Sequence, residues 1–486
     1  MSARIRSTLA LLPWLAWLAM AASSAHACSC VETPEPRDAL REAAAVFSGR
    51  VLSVPTDAPG AAHSDPAGIE FQVHSVWKGV SGFHATVHTS GNETSCGYQF
   101  VTGETYLVYA WTWEGVLQAG LCSRTNRLAN AAVDLALLPP VHPSPSAPED
   151  LTSLLADLAG PTRGRAIHAC RALASRPGDA ASSVPAMLRR LASSGESAER
   201  LEVLVALGHL GPAAAAAVPV VTAALSDSDP GVSLAAVEAL MRIGPLPVSA
   251  ITPLLALLGD EHETAALEER SDGRRHVDDR RAVHSRLNLL RVRRESILLA
   301  LFANGSASRK MASAALVDGV RSHRVGNRLG RGLVRIGAGS EVARLLAAEM
   351  MTTAPGASPG CARMLATIGA DAGSAVPALA RELQVKVHDS CSIAARTLAS
   401  IGPSAASAAP ALLAAMDAGR LEEVEGAHAL ARIGSKEGVP RLARIARDST
   451  DHFERDSARR TLEAMGIDPR GDEAAPSASS PTFSDR

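Results

Sequence analysis

The chain has 486 residues, 48 Lys and Arg against 50 Asp and Glu, 47% hydrophobic residues and only 3% aromatic ones. That length exceeds one ordinary domain. A formal net charge of -2 and the lack of any basic aromatic stretch argue against a dedicated nucleic-acid binder.

Arg4 and Arg6 precede an apolar run from Leu9 to Met20, and Ala25-His26-Ala27 matches a small-x-small cleavage pattern. Residues 1–27 therefore read as a secretory signal peptide. About 12 apolar residues interrupted by Pro13 are too few to span a bilayer, and no later run looks long enough, so the mature chain is expected to have no transmembrane segment. Cleavage after Ala27 leaves Cys28 first, with a free α-amine, in a periplasmic or extracellular space where disulfides persist. A lipoprotein, cut before a cysteine that is then acylated, is the rival, although Ala25 and His26 depart from its usual signal.

The next zone holds every Trp and Tyr of the mature chain, all before Glu114. Ala45 to Val54, Ile69 to Val73, Ala85 to Thr89, Tyr106 to Trp113 and Val116 to Leu121 read as five strands separated by glycine-containing turns. Five short strands over residues 28–138 suggest a small barrel or sandwich. Residues 139–150 (PPVHPSPSAPED) form a Pro-rich linker, expected to be extended.

Residues 151–466 repeat. Gly211, Gly244, Gly337, Gly369, Gly402, Gly434 and Gly466 each close an apolar helical run, with neighbours about 32 or 33 residues apart and one gap near three periods. Val184-Pro185, Val218-Pro219, Val376-Pro377, Ala409-Pro410 and Val439-Pro440 follow the same rhythm. Each glycine is expected to be a left-handed helix cap, and each proline to lie in the first turn of the next helix. Helix pairs at this period resemble HEAT-like repeats, which as a fold mostly present binding surfaces. A charged insert at 260–295 breaks the pattern, and residues 467–486 read as a disordered tail. The insert carries His262, His276 and His284 among carboxylates, but their spacing fits no standard metal site, so a charged loop or degenerate helix is expected.

Neither catalysis nor a cofactor is expected. Gly356-Ala357-Ser358-Pro359-Gly360 matches a nucleophile-elbow string, yet its flanks read as helices and Pro359 lacks an oxyanion-hole N–H. Cys170, Cys361 and Cys391 fall in helical repeats, where a small buried core residue is the ordinary role.

Four cysteines remain in the strand zone: Cys28, Cys30, Cys96 and Cys122. With Cys28-Ser29-Cys30, Ala45 to Val51, Phe71-Gln72-Val73 to Trp77-Lys78-Gly79, Cys96-Gly97-Tyr98, Gly103 to Val108 and Leu121-Cys122, the zone resembles the N-terminal domain of tissue inhibitors of metalloproteinases. That domain is a netrin-like OB-fold barrel, so the fold class implied is multidomain: an all-β OB-fold barrel followed by an all-α HEAT-like solenoid. The resemblance implies disulfides Cys28–Cys96 and Cys30–Cys122. It also implies that the Cys28 amine and carbonyl chelate a partner protease's catalytic zinc while Ser29 enters the adjacent substrate pocket. A neutral amine and a carbonyl oxygen close a five-membered ring on a zinc that keeps a position open. The family's cysteine in the first helix has no counterpart between Asp38 and Ala45, and its second cysteine-rich subdomain is absent. The functional expectation is an exported, non-enzymatic protein-binding protein, with the head directed at a zinc metalloprotease and the solenoid a partner platform. The alternative is a structural scaffold of the cell envelope whose cysteines only staple the head.

Overall fold

The β-rich stretches of the first zone become five strands that close on themselves. The strands are β1 (Ala45–Ser53), β2 (Ala67–Lys78), β3 (His84–Thr89), β4 (Thr105–Trp113) and β5 (Val116–Gln118). β1 pairs antiparallel with both β2 and β4, β2 with β3, and β4 with β5, while β3 and β5 meet in parallel at His88 and Gln118. The ring thus runs β1-β2-β3-β5-β4 and back to β1, with a two-residue β6 (Asn126–Arg127) added outside β4. This computed structural model describes residues 34–54, 67–89, 97–140, 150–259, 277–385 and 388–468, together with residue 267.

Closing so small a ring requires strand bending. Register shifts at three places along β1 supply it, one beside Gly49, where a Cβ would lie 2.9 Å from the Gln72 carbonyl oxygen. Phe47, Phe71, Tyr98, Phe100 and Tyr106 fill the interior, with edge-to-face ring pairs at centroid separations of 5.5, 5.2 and 4.9 Å. Two short helices, α1 (Pro36–Glu42) and α2 (Ala132–Leu137), cover the outside near β4. Glu114 and Gly115, both at positive φ, make the two-residue turn between β4 and β5.

The chain divides into two compact units, Met1–Ala214 and Ala215–Arg486. Unit one holds the barrel and also α3 (Leu151–Ala159), α4 (Arg163–Ala174), α5 (Ala180–Ser193) and α6 (Ser197–Leu210). Its α6 is buried nearly all round, with Glu199 and Glu202 inside, because it is packed between neighbours.

Unit two is helical throughout its described residues. One row contains α8 (Pro230–Ile243), α10 (Val277–Ala303), α12 (Asn327–Arg335), α14 (Pro359–Ile368), α16 (His388–Ile401), α18 (Glu423–Arg432) and α20 (His452–Ala464), each packed on the next. Behind it lie α7 (Val218–Ala223), α9 (Val248–Gly259), α11 (Ser306–Arg321), α13 (Gly339–Thr352), α15 (Val376–Glu382), α17 (Ala409–Asp417) and α19 (Gly438–Asp448). Ala and Leu from both rows make the core between them. The solenoid architecture and the small N-terminal barrel are both present, as expected.

Details depart from the sequence reading. Six of the seven repeat glycines have positive φ, but Gly244 is extended at φ 167°. Pro219, Pro377, Pro410 and Pro440 open their helices, whereas Pro185 sits inside α5. Ser197–Ser226 and Asp389–Asp417 are, by length and composition, apolar enough to cross a membrane, contrary to expectation. Each turns at a positive-φ glycine, Gly211 or Gly402, and half and 39% respectively of the most apolar window is buried. Much of the insert's second half is regular helix, since α10 begins at Val277 and its later turns bury Leu289, Leu290 and Val292.

Candidate functional site

The expected chelating residues Cys28 and Ser29, with Cys30 and Cys96, lie outside the described residues, as do the signal peptide, residues 141–149, His262, His276 and the chain beyond residue 468. Cys122 is described: it is exposed, after β5, and is not among the free thiols, which in the described residues are Cys170, Cys361 and Cys391.

What surrounds Cys122 is well defined. Gly97, next to Cys96 in the chain, forms an antiparallel bridge with Gly120. Two residues beyond Cys122, the Arg124 guanidinium donates to Asp134 through Nε (2.7 Å) and Nη2 (3.1 Å), and through Nη1 to the Pro34 carbonyl (2.8 Å). Tyr109 Oη donates to the same Asp134 at 2.8 Å. Burial, and then the Asp134 charge, pushes the Tyr109 phenol well above its usual range. Burial opposes the Arg124 charge, but Asp134 more than offsets it and keeps the guanidinium protonated. A buried ion pair therefore pins the chain four residues after Cys30 against the loop that carries Cys122.

Lys78-Gly79 also has a physical role. Lys78 Nζ donates to the Leu40 and Arg41 carbonyls at the end of α1, at 3.2 and 2.7 Å. Gly79 has φ +74°, and a Cβ there would stand 2.0 Å from the Ala44 carbonyl oxygen. The β4–β5 hairpin beyond presents Trp111 (42% exposed), Trp113 (63%) and Val116 (38%), an apolar edge on an otherwise compact barrel.

Sequence reasoning missed a second polar centre. Arg171 of α4 reaches the barrel, donating to Ser75 Oγ at 2.6 Å and gripping the Glu202 carboxylate of α6 with Nε (3.0 Å) and Nη2. Its guanidinium also lies 5.8 Å from the Trp77 ring centroid. Trp77 Nε1 donates to the Pro139 carbonyl and His209 Nε2 to that of Leu138, both at 3.0 Å. No sequence spacing signals this joint, because its partners come from a strand and two distant helices.

Other sequence candidates are buried. Ser358 is 5% exposed and sits just before α14, its hydroxyl 3.0 Å from Thr353 Oγ1. Burial pushes the Cys170 thiol up to about 12 and that of Cys361 to about 11, and raises Cys391 as well. Among the described residues no three His, Cys, Asp or Glu side chains are grouped so as to hold a metal ion.

The HEAT repeat family matches residues 184–269, which cover most of α5 through α9. Among solved structures, the chain is similar to one titled "Crystal structure of Kap121p", at 11% identity and a TM-score of 0.28, over 69% of this chain and 47% of that one. The chain thus spans about half the length of that protein. No curated protein matches. Over residues 184–269 the helical part matches HEAT repeats, which is compatible with protein binding.

Proposed function

We propose that this chain is an exported, non-catalytic protein-binding protein. In this reading an OB-fold head presents the Cys28 amine and carbonyl to the zinc of a metalloprotease, with Ser29 beside it, and the solenoid is a partner platform. The observation that carries the reading is convergence. The Gly97–Gly120 bridge and the Arg124–Pro34 hydrogen bond bring together the three chain segments flanking Cys30, Cys96 and Cys122. The ring order β1-β2-β3-β5-β4, with β3 and β5 parallel, supports the OB-fold assignment. Disulfides Cys28–Cys96 and Cys30–Cys122 at that junction would hold the amino terminus rigid and lower the entropy lost on binding. The exposed Trp111–Val116 edge offers further apolar contact for a protein partner.

The test compares mature protein beginning at Cys28 with a form carrying one extra alanine before it, against a panel of zinc metalloproteases. The extension moves the amine off the chelating position and leaves both disulfides possible. Inhibition by the first form and its loss in the second is the expected result, and equal potency, or no inhibition by either, rejects the zinc-directed reading. The platform is tested separately by photo-crosslinkers placed on each exposed face of the helices, with crosslinked partners identified by mass spectrometry.

One observation favours the alternative of a stapled, purely structural head. Arg171, Trp77 and His209 fix the barrel against α4 and α6, as a cap would cover the open end of a helical stack. In that case neither N-terminal form inhibits any protease, and deleting the barrel destabilises the first helices.

A further inference from the structure

The repeat glycines of unit two reveal a second periodicity. Arg331, Arg363, Arg396, His428 and Arg460 each stand six residues before the glycine that closes their helix: Gly337, Gly369, Gly402, Gly434 and Gly466. Equal offset from equivalent caps puts these residues at one position on five successive helices of one row, α12, α14, α16, α18 and α20. All four arginines are exposed and His428 is half-buried.

At the far end the row opens into a groove of about 500 Å³, lined by Arg396, Arg432 and Arg460, by the hydroxyls of Ser400, Ser457 and Thr461, and by His428 and two alanines. Among the described residues no carboxylate lines it. Arg396 and Arg460 each spend Nε on a carbonyl of their own helix, at 3.2 and 3.3 Å, which leaves the rest of each guanidinium fork for a ligand. His428 Nδ1 lies 3.0 Å from Thr461 Oγ1. Three uncompensated guanidiniums around polar hydroxyls form a site for carboxylates, which arginine can take two oxygens at a time.

Spacing selects the ligand's shape. Packed helices lie about 8–10 Å apart, and an extended polyproline-II chain advances about 3.1 Å per residue with three residues per turn, so every third side chain shares one face and meets the next rung. Among the described residues no Trp, Tyr or Phe lines the groove, and the one ring there, His428, is half-buried with Nδ1 against Thr461, so bases find no open stacking platform. We infer that this face of the solenoid docks an extended segment of a protein partner bearing Asp or Glu at about every third residue. The inference rests on the reading of the solenoid as a partner platform.

The test uses the full mature chain and a fluorescein-labelled 15-residue peptide with Glu at every third position and Gly or Ser elsewhere, read by anisotropy. Binding should weaken with salt. Arg396→Gln, Arg432→Gln and Arg460→Gln together should weaken it roughly 30- to 100-fold, at about three- to five-fold per exposed pair. Arg447→Gln, an exposed arginine of α19 outside the groove, should leave affinity unchanged, and circular dichroism should show both variants folded. The inference is overturned by equal binding of a peptide with Gln in place of Glu, by no binding at all, or by a triple variant that binds like the wild type. It is also overturned if a 15-residue oligothymidylate displaces the peptide at equal charge. Photo-crosslinks to a partner elsewhere on the helices, with no peptide binding, sink the acidic groove alone. Failure to crosslink on any face sinks the platform itself.

Discussion

Replacing Arg171 by Met removes a charge from the joint between the barrel and α6 while keeping much of its volume. Glu202, its side chain 6% exposed, would then hold a buried carboxylate without its cation, and Ser75 would lose a donor. Breaking a buried pair from one side costs about 3–5 kcal/mol, while replacing both partners by apolar groups is often nearly neutral. The double variant Arg171→Met/Glu202→Met should therefore recover most of the loss. In protein beginning at Cys28 the tryptophans are Trp77, Trp111 and Trp113, all in the barrel, so fluorescence reports the head, while far-ultraviolet circular dichroism reports mainly the helices. With a urea slope of about 2 kcal/mol per M, the single variant should lower the fluorescence midpoint by roughly 2 M. A shift below about 0.3 M, or a double variant no more stable than the single one, would refute the claim that this pair couples barrel to helices.

Two further outcomes follow from close contacts and buried thiols. Gly79→Ala combines positive φ with a contact of 2.0 Å to backbone, so it should lower barrel stability by more than about 2 kcal/mol, seen as an earlier fluorescence transition on heating, whereas Gly115→Ala, with open space around it, should cost less. With its pKa pushed up to about 12, Cys170 should carry a thiolate fraction of roughly one in ten thousand at pH 8, so native protein should resist iodoacetamide at all three free cysteines and react once unfolded.

How much was legible depended on whether a signal was local or periodic. β-rich runs located β1, β3, β4 and β5 to within three residues, while alternation found only the first half of β2, which runs on to Lys78; β1 and β4 bury five consecutive residues and carry no alternation to read. Glycine spacing located the helix pairs because a left-handed cap recurs once per repeat, and Gly244 escaped because its helix ends in extended backbone instead. The Arg124–Asp134–Tyr109 cluster and the Arg171 joint were illegible, since their partners are brought together by folding across unrelated segments. The arginine ladder could have been read at once, by counting back six residues from each repeat glycine.

The last two helices carry a consequence of their own. Ala427, Leu442, Ile445, Ala458 and Leu462 form a separate apolar cluster at the end of the row, where α20 has a neighbour on one side only among the described residues. In a one-dimensional stack such an end opens most often, so amide protons of α20 should exchange with solvent earlier than those of α16. A ligand bridging α16, α18 and α20 would tie that end to the interior, and occupancy could be followed as slowed deuterium uptake at residues far from any strand.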